Sequence, residues 1–206
     1  KFSVVGISPV THTFGDTAAG ASWGPALKEA GFDVLLFEGA ADQPVYVSIV
    51  DEQVEIRDAV DLWGLDTFDT VDAVHEKTGD RKVSVAAIGP AGENMVRYAC
   101  IMTGLYDACG RGGLGAVMGS KNLKAIVAKG TGAVEVANPA LFMERVDAFR
   151  KMFERSYTKE SLRKYGTVGG GEQKQKASAF NYRNFQETSL PEGLLEKIDA
   201  RKTIEK

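Results

Sequence analysis

Short apolar runs rich in β-branched residues, punctuated by glycines and polar turns, recur along residues 1–130, and that pattern predicts strands. Phe2–Ile7 reads as the first. The stretches FDVLLFEG (32–39) and PVYVSIV (44–50) read as two more, and VEIRDA (54–59) returns from a DEQ turn as a hairpin partner. KVSVAAIG (82–89), an extended run over Met95–Met102 and LKAIVAKG (123–130) complete the set. Between them lie short segments with helical spacing or helix boundary signals. GPALKEAG (24–31) reads as a short helix with Pro25 in its first turn and Gly31 beyond its end. DTFDTVDAVHEKTG (66–79) carries Phe68, Val71 and Val74 on one side and stops at Gly79. GGLGAVMGSK (112–121) reads as a third helix, while residues 8–24 read as a loop and GPAGEN (89–94) as a tight turn.

The character changes after Gly130. Asn138 and Pro139 form a helix start, and Phe142, Val146, Phe149 and Phe153 recur as an amphipathic stripe, read as core packing. KESLRKYG (159–166) reads as a second helix, the polar stretch from Thr167 as a loop, and PEGLLEKIDARK (191–202) as a last helix. The short, hairpin-joined strands lack regular βαβ units. The pattern therefore predicts an α+β domain of mixed or antiparallel sheets over residues 1–134, followed by a mainly helical segment over 135–206.

Composition narrows the classes of function. The 206 residues are 44% hydrophobic and 26% charged, ordinary for one large domain or one domain and the start of another. A net charge of −3 argues against a general nucleic-acid binder. Cys100 and Cys109 lack the spacing of a zinc or iron–sulfur site and read as reduced thiols in a cytoplasmic protein. No apolar run approaches the roughly 20 residues of a membrane span. The chain opens at Lys1 in a strand-like run without a methionine, which reads as a piece of a longer polypeptide.

One region carries candidate chemistry. Between Ala108 and Gly130 lie six glycines, Arg111 and three lysines. Bare backbone lets N–H groups approach an anion, a helix starting near Gly113 adds donors, and Arg111 suits a two-pronged phosphate contact, with Lys121 and Lys124 raising the local potential. The pattern is neither a Walker loop nor a dinucleotide fingerprint. Glycines at turns and at a close helix–sheet contact account for it equally well. GDTAAGASWG (15–24) is a second flexible stretch, with Trp23 placed to cover a ligand, although a surface loop is the plainer reading. Glu93 and Asn94 read as self-capping turn residues, His12 and His75 as structural, and Trp63 as core. No nucleophile–base or paired-carboxylate arrangement emerges, so the residues themselves describe an anion-binding platform without catalytic machinery.

The stretch AIGPAGENMVRYACIMTGLYDACGRGGLGAVMGSKNLKAIVAKG (87–130), flanked by SPVT, WGPALKEAGFDVLLFEGAADQPVYVSI, VEIRDAVDLWG and later KYGT and NFQ, closely resembles the N-terminal domain of the tungsten-containing aldehyde ferredoxin oxidoreductases. The resemblance implies two β-sheets forming the base for a tungsten (or molybdenum) bis-pterin cofactor whose phosphates are bridged by magnesium. It implies an enzyme that oxidises aldehydes to carboxylic acids and reduces ferredoxin through a [4Fe–4S] cluster, and a possible homodimer. By that pattern the cofactor-binding positions are Lys1, Ala18, Gly20, Ala21, Asp107, Ala108, Gly110, Arg111, Gly112 and Gly113. The resemblance also implies that the backbone carbonyls of Ala18 and Ala108 reach the magnesium.

Three positions depart from the family pattern: arginine is typical at Lys1, asparagine at Ala18 and arginine at Asp107. A lysine lacks the planar fork of arginine, and an aspartate repels phosphate unless a cation intervenes. The family's CxxCxxxC cluster motif is absent from these residues. The resemblance therefore implies a cofactor platform that is inactive alone. Two other readings stay open: a free-standing or divergent non-catalytic module that binds pterin or phosphate, and a nucleotide-binding domain unrelated to pterin.

Overall fold

Strand β1 (Phe2–Ile7) pairs antiparallel with β2 (Phe14–Ala19), Phe2 opposite Ala19 and Ile7 opposite Phe14. The computed structural model describes residues 1–156 and 158–204. They divide into two compact units, Lys1–Glu135 and Val136–Lys206. β2 falls where the sequence reads as a loop. Gly15, Asp16, Ala18 and Ala19 have little strand propensity, and the strand arises from its pairing with β1 and the burial of Thr17 and Ala19.

Helix α1 (Trp23–Glu29) follows. Trp23 is buried, its ring 4.6 Å from that of Phe2 and its Nε1 donating to the Ile126 carbonyl at 2.8 Å. It is therefore a core residue and covers no ligand. Residues 32–39, read as a strand, keep their alternation without a ladder. Phe32, Leu35 and Phe37 pack on the core, Val34 and Leu36 face outward, and no backbone hydrogen bond reaches residues 33–38 among the described residues.

The main sheet has six strands in the order β4-β3-β8-β5-β6-β7, with β3 (Val45–Val50), β4 (Gln53–Asp58), β5 (Ser84–Ala87), β6 (Ile101–Thr103), β7 (Asp107–Cys109) and β8 (Leu123–Lys129). β3 and β8 run parallel and every other neighbouring pair antiparallel, giving the mixed sheets of an α+β domain. One face packs with β1, α1 and α4 (Leu114–Ser120) around Ile49, Ile88, Leu114 and Ile126. The other packs on α2 (Thr67–Thr78) and the 3-10 turn at Val60–Leu62, around Leu62, Val74 and Val127. β8 lies between the cores and is buried from Leu123 to Ala128.

Asp66 caps α2 by accepting from the amides of Phe68 (2.8 Å) and Asp69 (2.9 Å), and Gly79 ends the helix in the left-handed conformation. Trp63 is half-buried, less enclosed than its reading as core. The expected tight turn at 89–94 is the one-turn helix α3 (Pro90–Glu93). Of the expected extended run over Met95–Met102, only its end enters a strand, because residues 92–99 close a series of turns through Met95→Gly92, Val96→Ala91 and Ala99→Val96 backbone bonds.

In the second unit α5 (Pro139–Glu154) starts at Asn138, whose side chain accepts from the Leu141 amide at 3.0 Å. Its stripe is not core. Phe142, Phe149 and Phe153 are each about half exposed, at 51%, 61% and 48%. Periodicity records an apolar face, not what covers it. The short helices α6 (Lys159–Tyr165), α7 (Gly171–Lys176), α8 (Leu194–Ile198) and α9 (Ala200–Ile204) follow. The polar stretch after Thr167 is thus partly helical, and the expected last helix breaks at the extended Asp199. Among the described residues no helix is long and apolar enough to cross a membrane.

Candidate functional site

Two strand-to-helix connections meet on one side of the first unit. Residues 20–22 join β2 to α1, and residues 110–113 join β7 to α4. The Arg111 amide donates to Thr17 Oγ1 at 3.3 Å, which ties the second connection to the end of β2. A β-carbon on Gly20 would stand 3.0 Å from Asp107 Oδ1, and one on Gly112 would stand 3.9 Å from the Gly15 Cα. Lys1 joins the same neighbourhood, its carbonyl oxygen 3.0 Å from a β-carbon built on Gly24. The residues predicted from the two loops, distant in sequence, are therefore neighbours in space.

Their exposure separates them by role. Lys1, Ala18, Ala21, Asp107, Ala108, Gly110 and Arg111 are exposed, Gly20 and Gly112 half-buried, and Gly113 buried. Gly113 is a packing residue. It has φ +69°, and a β-carbon there would lie 1.7 Å from the Arg97 carbonyl oxygen. At Gly110 a β-carbon would meet only Cys100 Sγ, at 3.8 Å, so its surface is open. Ala21 holds φ +59°, an unusual conformation for alanine, in the first loop.

Charge converges on the loops. Among the described residues Lys1, Arg111 and Asp107 make no ion pair. Two unpaired cations beside open backbone suit a phosphate-bearing group. The Asp107 carboxylate suits it only with a cation between them. No group of three or more histidine, cysteine, aspartate or glutamate side chains that could hold a metal occurs among the described residues. A metal bound here would rest on its own cofactor and on backbone carbonyls. Ala18 and Ala108 sit at exposed positions of β2 and β7.

Both lysines expected to raise the potential are engaged elsewhere. Lys121 Nζ donates to the Gly39 carbonyl at 2.7 Å. Lys124 is fully buried and pairs with Glu93. The expected donors of the α4 N-terminus are partly consumed as well, since the Gly115 amide donates to the Ala99 carbonyl at 3.1 Å. Glu93 does not cap its own turn. It accepts the Gly64 amide at 3.0 and 2.9 Å, whereas Asn94 Nδ2 does return to the Pro90 carbonyl at 2.8 Å. His75 Nε2 contacts the Val83 carbonyl at 3.2 Å, and His12 occupies an exposed left-handed turn.

Cys109 is buried, and burial first, then the nearby Cys100, pushes its thiol up to about 11. It is inert at neutral pH. The bridging Thr17 was not legible in the sequence, because an isolated threonine in a glycine-rich loop gives no pairing signal.

The family description "Aldehyde ferredoxin oxidoreductase, N-terminal domain" matches residues 1–130. A tungsten-containing aldehyde ferredoxin oxidoreductase of Pyrococcus abyssi is 47% identical over 169 residues, 82% of this chain and 28% of that protein. An aliphatic sulfonate oxidoreductase, WOR-like subunit, of Pyrococcus furiosus is 37% identical over 183 residues, covering 83% of this chain and 29% of its own. Among solved structures, the active-site complex BamBC of benzoyl coenzyme A reductase with 1,5-dienoyl-CoA superposes with a TM-score of 0.72 at 38% identity, covering 74% of this chain and 23% of that one. The chain spans less than a third of the length of these relatives.

Proposed function

We propose, from the premise that the chain belongs to the aldehyde ferredoxin oxidoreductase family as part of its N-terminal domain, that it is the cofactor platform of an oxidoreductase that converts aldehydes to carboxylic acids. The observation that carries this reading is the junction of the two loops through Thr17 and Arg111. A tungsten (or molybdenum) bis-pterin with magnesium fits that junction by its phosphates. When bound, it supplies the two-electron oxidation of an aldehyde with water, the electrons passing by a [4Fe–4S] cluster to ferredoxin.

The chain's own residues hold and orient. Arg111 and Lys1 would meet phosphate oxygens, and the amides of Gly110 and Gly112 would approach without side chains between, the Arg111 amide being held by Thr17. The carbonyls of Ala18 and Ala108 would hold the magnesium, and Gly20 and Ala21 would form the opposite lip. Cluster ligands and substrate-contacting side chains belong to other parts of the enzyme, so these 206 residues alone carry no turnover.

The test is anaerobic purification of the complete polypeptide, with metal and pterin determination and an assay of aldehyde-dependent ferredoxin reduction. Tungsten or molybdenum with two pterins per polypeptide, and ferredoxin reduction, are expected. Neither metal in a folded sample rules the reading out. Asp107 and Ala18 favour a second reading, a divergent non-catalytic module that binds pterin or phosphate. It requires saturable magnesium-pyrophosphate binding in a protein that acquires no tungsten.

A further inference from the structure

Lys124 is the extra residue of a β-bulge. Val45 pairs with Leu123 and Tyr46 with Ala125, so the register of β3 against β8 shifts at Lys124. The flanking residues Leu123 and Ala125 enter opposite cores, while the Lys124 ammonium reaches the Leu65 carbonyl at 2.8 Å and the Glu93 carboxylate. Both side chains are enclosed, at 0% and 4% exposure. Glu93 is completed by the Gly64 amide. A buried ion pair is weak as a source of stability, because apolar residues of similar volume commonly do as well.

Glu93 ends α3, and α3 lies on α4 with backbone against backbone. A β-carbon on Gly119 would fall 1.9 Å from the Gly92 carbonyl oxygen, and one on Gly92 would fall 3.0 Å from that of Gly115. Gly113, at the start of α4, closes on Arg97 in the same way. Contacts this close leave no slack of the kind a flexible side chain provides.

We propose that the Lys124–Glu93 pair is a positioning device for the Arg111–Gly113 turn. The bulge and the Gly64–Leu65 segment hold Glu93, α3 sets α4, and α4 sets the Arg111–Gly113 turn that leads into it. The functional side of this inference rests on the reading of that turn as a cofactor contact.

The experiment uses the complete polypeptide carrying Glu93→Leu with Lys124→Met, an apolar pair of similar volume. Amide hydrogen exchange over residues 111–116 is measured on cofactor-free protein, beside the urea midpoint, and retained tungsten and pterin are measured on the loaded protein. The expected result is an unfolding transition close to that of the parent, at least ten-fold faster exchange at 111–116 and at least ten-fold lower cofactor retention. Parental exchange at 111–116 in the folded double variant overturns the proposal. If that variant does not fold, Glu93→Gln serves. It keeps an acceptor for Gly64 and removes the charge, so faster exchange at 111–116 supports the proposal and parental exchange overturns it. A parent protein that never holds pterin refutes the cofactor reading instead, and the exchange data still decide the positioning claim.

Discussion

Alanine at Gly113 and alanine at Gly110 separate packing glycines from ligand-facing ones. At Gly113 the new β-carbon falls 1.7 Å from the Arg97 carbonyl oxygen. Roughly 1.5 Å of displacement is needed to restore contact distance, and overpacking of this kind costs about 1–3 kcal/mol. The left-handed φ of +69° adds about 1–2 kcal/mol for a residue with a β-carbon. The sum, about 2–5 kcal/mol, is a large part of the roughly 7–20 kcal/mol typical of a unit this size. At Gly110 the new carbon stands 3.8 Å from Cys100 Sγ, an ordinary contact, and the cost is below about 0.5 kcal/mol. Urea unfolding followed by the fluorescence of buried Trp23 measures both. With a slope of about 2 kcal/mol per molar urea, Gly113→Ala lowers the midpoint by roughly 1–2.5 M and Gly110→Ala leaves it in place. Gly110→Ala nevertheless weakens magnesium-pyrophosphate binding, because its methyl occupies the open surface. Equal midpoints for the two variants, or a Gly110→Ala protein that binds as the parent does, refute the assignment.

Two further predictions concern charge and thiols. Asp107→Asn removes a carboxylate from the lip of the loops, and one unit charge at contact range in water is worth about 1 kcal/mol. Titration calorimetry is expected to show roughly five-fold tighter binding of pyrophosphate without magnesium, and a smaller gain with it; unchanged affinity contradicts the placement. Cys109 has its thiol pushed up to about 11 in the fold against 9.0 for the ordinary group. Between those values the unfolded chain releases a proton that the folded chain keeps, so this thiol's contribution to stability falls as pH rises from about 9 to 11 and levels off beyond. Alkylation at pH 8 is expected to reach half-buried Cys100 in the folded protein and Cys109 only on unfolding; equal rates for both contradict its burial.

Most of the fold was legible where local pattern and tertiary packing agree. α2 announced itself by its apolar spacing and Gly79, and β8 by the apolar run Ala125–Ala128. β2 was hidden because Gly15, Asp16 and Ala18 form a strand only through β1. Residues 32–39 erred in the opposite direction, since their alternation survives although no backbone hydrogen bond reaches 33–38 among the described residues. The α5 stripe showed how a period reveals an apolar face and nothing of its cover. At the candidate site the glycines were visible but their division was not. Only the approach of Arg97 to Gly113, against the open surface at Gly110, distinguishes structural from available backbone. Lys124 shows the same limit, because one bulged residue turns a surface-type side chain into a buried partner of Glu93.

The claim that two loops form one phosphate-bearing cofactor platform is tested most directly by amide chemical shifts of this chain during titration with magnesium pyrophosphate. The account predicts saturable shifts that share one midpoint at residues 18–22 and 110–113, abolished by Arg111→Ala. Shifts confined to one loop, or centred elsewhere in the chain, contradict it.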